Sequence, residues 1–390
     1  MKIRRFREGD EERTLQFLNS VFPNWGDDRK RRWKFKEVEG ALERKAIVWV
    51  VEDNGEIVGH LAYVPMGLRV ANQVFPVCQL VDGAMSSMYR GRGVYTSLVR
   101  EILLDAERNG NAATFGFANR PAYHNYARHG GFLKLCDVAR MFKILSLKNA
   151  MSTVRLHPTT GRMLTVRNDS LTRDLYSIPR RQAILTLLDL FRVVLGSIIS
   201  CCLRPARRVK PVPGVRAVEP NALGKQLNAS WIKLSSDYQF AFERDDKYLK
   251  WRYSQPGAEY RAYVAEKSGY VTGYVVTAVE ERSMSIGKIT LDGLKIGYIM
   301  DLVAEKDLIV PLLSIAEEEL KKQKVCLANC WTIEATLLFN TLRSMRYYQI
   351  PRELAKVTVV AKVHASHLKS LISSENSKRM LISLGDTDHV

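Results

Sequence analysis

Acidic residues are scarce in this chain. Its 390 residues hold 41 Asp and Glu against 59 Lys and Arg, a formal net charge of +18 at pH 7. A surface this basic favours anions: a nucleotide-bearing molecule, nucleic acid or an acidic membrane. Cysteine is sparse too, with six residues. Cys201 and Cys202 are adjacent, and Cys326 and Cys330 have no second ligand pair near them, so no zinc pattern forms and no metal site is expected. Reduced core thiols in a cytoplasmic protein are the expectation. No apolar run follows the charged start Met1–Phe6, so no secretory signal is expected. A single stretch, Ala183–Leu203, has the length to cross a bilayer, and Asp189 and Arg192 inside it argue against crossing.

The length suits two domains. Helical spacing runs over 10–22 (Leu15, Phe17, Leu18, Val21, Phe22). Strand-like runs come next at 46–52 and 57–64 across the hairpin signal Asn54-Gly55, then at 79–85, 112–118 and 132–145. Helical patterns cover 97–108, closed by Gly110, and 121–129. After them comes a basic connector; from Lys148 to Lys210 it holds twelve Lys and Arg against three Asp. Residues 215–363 repeat the same grammar: helix, hairpin, strand, helix (307–324), strand, helix, strand. A duplicated domain is the reading. The expected boundaries are a first domain over 1–146, the connector over 147–214 with an amphipathic helix at 183–203, a second domain over 215–365, and a tail over 366–390.

The most informative stretch is Arg90-Gly91-Arg92-Gly93-Val94-Tyr95-Thr96. Two glycines alternating with two arginines, at a strand-to-helix junction, leave backbone N–H groups uncovered. Such a turn either faces solvent or cradles a pyrophosphate. It lacks the Gly-Lys-Ser/Thr ending of a P-loop, and the strand before it does not open a parallel βαβ unit, which excludes the dinucleotide fingerprint. The spacing around it decides. Ala84-Met85 ends the strand behind; Asn119 ends the next strand, Tyr126 comes seven residues later, and Gly131-Phe132 soon after.

Arg90, Gly93 and the series Asn119, Tyr126, Gly131-Phe132 resemble the GNAT acetyltransferase superfamily, most strongly over 46–145. The resemblance implies an α+β fold, three-layered: two tandem GNAT-like acyl-CoA N-acyltransferase folds, each a mixed, mostly antiparallel sheet flanked by helices. It implies acetyl-CoA as co-substrate, lying between two strands that splay apart. An N–H near Ala84 or Met85 would polarise the thioester carbonyl. Ser87 and the amides of Arg90, Gly91, Arg92, Gly93, Val94, Tyr95 and Thr96 would hold the pyrophosphate, Asn119 would contact the cofactor, and Tyr126 would protonate the departing thiolate. The acceptor would be a small-molecule amine, with an amino sugar of surface-glycan assembly as the leading example. Aminoacyl transfer to a peptidoglycan precursor and a non-catalytic GNAT-fold binding protein are the alternatives.

Two departures stand out. Tyr95 replaces a small residue, and Gly130-Gly131 adds one residue before Phe132, which could displace Tyr126. The position where the family often keeps a glutamate base holds Thr114, and Gln79 stands five before Ala84, so the base is left to water, to Asp82 or to His60. In the second half, Glu305 and Asp307 replace the glycines, and no cofactor is expected there. Asp245–Tyr253 resembles a segment of two-domain acetyltransferases linked to polysaccharide synthesis. Trp251, Arg252 and Tyr253 form either an acceptor-binding wall or a packing cluster. The 183–203 helix is read first as packed between the domains. Its alternatives are lying on the inner face of an acidic membrane, which would make the protein peripheral there, and binding nucleic acid; nucleic acid is the least favoured partner.

Overall fold

The computed structural model describes residues 1–22, 25–71, 73–156, 214–227, 230–286, 289–352 and 356–387. The connector helix read at 183–203 lies outside the described residues. Contacts divide the chain into two compact units. Neither is a continuous stretch: the first comprises Met1–Asp137, Asn221–Gly257 and Val357–Leu381, the second Val138–Pro220, Ala258–Lys356 and Ile382–Val390. The boundaries expected from the sequence keep to chain order, and the units do not.

The first unit is a mixed sheet. Strands β1 (Lys2–Arg5), β2 (Ile47–Asp53), β3 (Glu56–Val70) and β4 (Gln73–Met85) form an antiparallel run, and β4 then pairs in parallel with β5 (Ala113–Ala118). On the far side of β5 lies the strand Thr358–Val363, antiparallel to it and to the first residues of β6 (Leu133–Ile144). Sequence order alone places that late strand in the second domain. It has no local pattern naming its partner, because alternation fixes which face a strand buries and not which edge it joins.

Helix α1 (Glu11–Val21) buries Phe17 and Leu18, and α4 (Val94–Arg108) buries Leu98, Val99, Ile102 and Ala106 against the sheet. Two short helices, α2 (Asp28–Arg32) and α3 (Val38–Leu42), flank a π turn at Trp33–Glu37. Helix α5 (Arg120–Asn125) runs into a second π turn, Tyr126–Gly130. A π turn takes up one extra residue without breaking the helix, and the added glycine before Phe132 is absorbed there.

Arg4 ties β1 to β2 and to the start of α1. Its Nη1 and Nη2 donate to Asp10 at 2.6 and 2.9 Å, and its Nε donates to Glu52 at 2.8 Å. Burial raises the Asp10 carboxyl, but hydrogen bonds from Arg4 and the Arg7 N–H outweigh it and leave the pKa below the usual value. Hydrogen bonds from Arg4 and Arg13 bring Glu52 down to about 2. Both folded values are depressed, so this stabilisation is complete above the ordinary carboxyl range near ~4. It is lost as pH falls through the folded values. Thermal melts should therefore drop between about pH 5 and pH 2 in the parent chain. Arg4→Met should flatten that fall, and an unchanged slope would refute the linkage.

The second unit repeats the order. Val215–Val218, Tyr260–Lys267, Tyr270–Ile286 and Ile289–Ala304 run antiparallel. Leu327–Ile333 is parallel to Ile289–Ala304, and Val138–Ile144 is antiparallel to Leu327–Ile333. Helix Ile309–Lys322 buries Leu312, Leu313, Ala316 and Leu320. The turn ahead of it, Glu305–Leu308, carries two acids and no glycine. Among the described residues no helix is long and apolar enough to cross a membrane, and no His/Cys/Asp/Glu cluster could hold a metal. The four described cysteines, Cys78, Cys136, Cys326 and Cys330, are free and buried.

Candidate functional site

β4 and β5 pair only from Val77–Leu80 to Ala113–Gly116. Beyond these residues the two strands part, because each is held on its other side: β4 by β3 as far as Met85, and β5 by Thr358–Val363 as far as Ala118. The result is an open-ended gap in a parallel pair. Ser86 N–H donates to Val58 O at 2.9 Å. Peptides alternate in direction along a strand, so Ser86 and Ala84 face β3 while the Met85 peptide faces the gap. Arg90 Nε donates to the Met85 carbonyl at 3.1 Å. Of the two residues expected to polarise a thioester, Met85 therefore presents its amide to the gap and Ala84 gives its own to the ladder.

A bulge shapes the same strand end. His60 pairs with Ala84 and Ala62 with Val81, so Asp82 and Gly83 oppose Leu61 alone. Asp82 sits at φ 51°, a left-handed conformation that costs a non-glycine residue about 1 kcal/mol. Side-chain contacts hold it there. Trp25 Nε1 donates to Asp82 Oδ1 at 2.9 Å, and Lys34 Nζ forms an ion pair with Oδ2 at 2.7 Å. Lys34 is 2% exposed and lies against the rings of Trp25 and Phe35. His60 is wholly buried beside Phe35, and its Nδ1 donates to the Asp82 carbonyl at 2.9 Å. Burial holds its pKa below the usual value, so the ring is neutral at pH 7.

Asp82 and His60, the candidate bases, both lie at this bulge. The carboxylate is engaged by an ammonium and an indole, and the imidazole is fully buried. Both brace the bulge. Thr114 is likewise occupied, its Oγ1 lying 2.8 Å from His364 Nε2 and 3.4 Å from Cys78 Sγ. Trp25 and Lys34 carry no sequence signal of their part in this. Lys34 reads as one more member of a basic run, and only its burial reveals the pairing.

The glycine turn leads from β4 to α4. Ser87 opens a single 3-10 turn to Tyr89 and is exposed. Gly91 and Gly93 both have φ 75°, and a Cβ at either would meet nothing within 4 Å. The glycines are needed there for backbone conformation and not for room. Gly93 is the N-cap of α4 and offers no side chain to the first-turn amides; Arg92 and Gly93 themselves are exposed. A turn of this kind at the N-terminus of a 15-residue helix presents N–H groups and a positive helix end to an anion. The Val94 side chain is core, which leaves its backbone as the part that could meet a ligand. Thr96 Oγ1 accepts from Asn125 Nδ2 at 3.0 Å.

Across the gap, Asn119 is exposed and its Oδ1 caps α5 by accepting from Ala122 N–H at 3.1 Å. Its amide nitrogen is what it could offer a ligand. Tyr126 is 5% exposed, packed on Phe132 with ring centroids 5.0 Å apart, and its hydroxyl lies 3.3 Å from the Tyr95 hydroxyl. Tyr95 thus turns inward. Its hydroxyl stands over Gly83, where any Cβ would collide with it. Burial raises the Tyr95 phenol, and the Tyr126 hydrogen bond opposes that rise.

The aromatic segment near residue 250 resolves to packing. Trp33 and Trp251 stack with centroids 5.0 Å apart, and each indole N–H donates to the other's backbone carbonyl, at 2.8 and 3.0 Å. Trp251, Arg252 and Tyr253 are all buried. An acceptor wall would need exposed faces, and these rings have none to offer.

The family model for an acetyltransferase (GNAT) domain matches residues 2–131. Comparison by sequence with curated proteins gives no match. Among solved structures, the chain is similar to a GCN5-related N-acetyltransferase of Anabaena variabilis, with a TM-score of 0.51 at 13% identity over 93% of this chain and 72% of that one. It is also similar to a probable N-acyltransferase of Enterococcus faecalis, with a TM-score of 0.55 at 12% identity over 93% and 72%. N-myristoyltransferase of Saccharomyces cerevisiae, with bound myristoyl-CoA and inhibitors, gives a TM-score of 0.59 at 11% identity over 92% and 79%. The match to the GNAT domain model thus spans a third of the chain, residues 2–131, and the chain as a whole shares its fold with these solved structures.

Proposed function

We propose that this protein transfers an acyl group from an acyl-coenzyme A thioester directly to an amine. What supports the reading is that the glycine turn's flanks reach both partners: Arg90 contacts the Met85 carbonyl and Tyr95 contacts the Tyr126 hydroxyl. Pantetheine would lie between β4 and β5. The Met85 N–H would donate to the thioester oxygen and gain strength as that oxygen becomes an oxyanion. First-turn amides of α4, with Arg90 and Arg92 beside them, would hold the pyrophosphate, and the Asn119 amide nitrogen would donate to the pantetheine arm. The amine attacks the carbonyl carbon, the C–S bond breaks, and Tyr126 gives its proton to the sulfur. With Asp82 and His60 engaged in the bulge, the amine's own proton goes to water.

An acetyl donor and an amino-sugar acceptor in surface-glycan assembly are the specific members of this class that we favour, at the cytoplasmic face of a membrane. The myristoyl-CoA bound by the yeast neighbour makes longer acyl chains the natural comparison. Calorimetric titration with acetyl-CoA and with a longer acyl-CoA tests the site, and absence of binding by both would sink the proposal. Mass spectrometry of products from an amine and amino-sugar panel names the acceptor.

The turn makes its own prediction. Gly93→Val forces a β-branched residue into φ 75° at the helix start. Affinity for acyl-CoA should fall by at least about tenfold, the loss expected when oriented amides at one helix end are misplaced. Equal titration curves for parent and variant would remove the turn from the binding site.

A further inference from the structure

The chain carries a second phenol at the site, on the element that would hold the pyrophosphate. We infer that Tyr95 is a positioning residue for Tyr126, donating its hydroxyl to the Tyr126 oxygen and steadying the charge left there when the thiolate takes the proton. The inference rests on the acyl-transfer reading above and goes beyond it in one respect: the acid becomes a pair of hydroxyls.

Three observations support it. The first is the contact itself, Oη to Oη at 3.3 Å. That is long for an O–H···O bond, as contacts within unliganded catalytic groups commonly are. The second is a parallel rung. Tyr95 reaches Tyr126 while its neighbour Thr96 accepts from Asn125, so two successive residues of α4 clasp two successive residues at the end of α5. This clasp matters because the π turn at Tyr126–Gly130 carries an added residue, and loop length alone no longer fixes where the Tyr126 ring stands. The third is Gly83. It is the bulge residue over which the Tyr95 hydroxyl lies, and any side chain there would expel that hydroxyl.

The chemistry balances. The new N–C bond forms and the C–S bond breaks; the sulfur takes the Tyr126 proton; the amine releases one proton to water; Tyr126 recovers its proton from water. Between those events the Tyr126 oxygen is negative, and a hydrogen bond to a charged oxygen is worth more than one to a neutral phenol. Tyr95 therefore acts most strongly when the leaving group departs.

Steady-state kinetics of Tyr95→Phe, which removes only the hydroxyl, tests the inference. We expect kcat to fall about ten- to a hundredfold with KM for acyl-CoA within about twofold. The alkaline limb of the kcat profile, which reports the acid, should move up by about one pH unit because the Tyr126 phenolate has lost a donor. A packing role alone would leave that limb in place. In a Tyr126→Phe background, Tyr95→Phe should cost nothing further. Gly83→Ala should reproduce the shifted limb by displacing the same hydroxyl. If Tyr126→Phe is impaired while Tyr95→Phe keeps the parental kcat and limb, the acyl-transfer reading stands and this inference falls. If the parent chain turns over no acyl-CoA, both fall.

Discussion

Lys34→Met should destabilise the protein by about 3–5 kcal/mol, read from the midpoint of urea unfolding at constant m value. The substitution leaves the Asp82 carboxylate, whose side chain is 7% exposed, without its ammonium. Truncating one member of a buried pair costs far more than the pair contributes net, because the survivor keeps its desolvation penalty. The rescue distinguishes this from simple loss of packing. Asn tolerates the left-handed conformation at φ 51° and can still accept from Trp25 Nε1. Lys34→Met with Asp82→Asn should therefore recover more than half of the loss. A loss under about 1 kcal/mol for the single variant, or no recovery in the double, would show that the pair does not hold the bulge.

Tyr126→Phe should lower kcat by about a hundred- to a ten-thousandfold, the range that positioned proton transfer contributes, while calorimetric affinity for acyl-CoA stays within about twofold. The ring still packs on Phe132, so the fold and the proposed cofactor gap are undisturbed; only the proton for the sulfur is gone. Substrates with a more acidic thiol leaving group should suffer less, since their thiolate needs no acid. An unchanged rate with every thioester would take Tyr126 out of the reaction.

Much of the site is legible from spacing because its parts are local. Arg90–Thr96 sits between a strand and a helix whose periods are clear, and the glycines announce positive φ. Asn119 marks a strand end by capping the next helix. What spacing does not reveal depends on distant partners. Nothing in the run Arg29–Lys36 distinguishes Lys34 from its basic neighbours until Asp82 meets it in space. Tyr95 reads as an anomaly at a position for a small residue; the space it fills is made by Gly83, twelve residues earlier on another element. His60 and Asp82 read as candidate bases because chemistry-bearing residues near a strand end suggest chemistry; their burial and their pairing with Lys34 and Trp25 are not visible in the sequence. The compact units are discontinuous for a similar reason: which distant strand joins a sheet is not written in chain order.

The late strand Thr358–Val363 has a consequence for how the molecule is made. Thr358 is the partner of Ala118, and Val363 of Ala113. During synthesis at about 5–20 residues per second, β5 leaves the ribosome roughly 10–50 s before the strand that completes its outer edge. Throughout that interval a row of unpaired peptide groups stands open on an apolar strand, the arrangement most prone to pair with another chain. Closing so large a loop is also slow relative to forming local hairpins. On the β5 side, the gap between β4 and β5 is bounded by the strand that Thr358–Val363 holds. The proposed binding site is thus among the last features of the nascent chain to take shape.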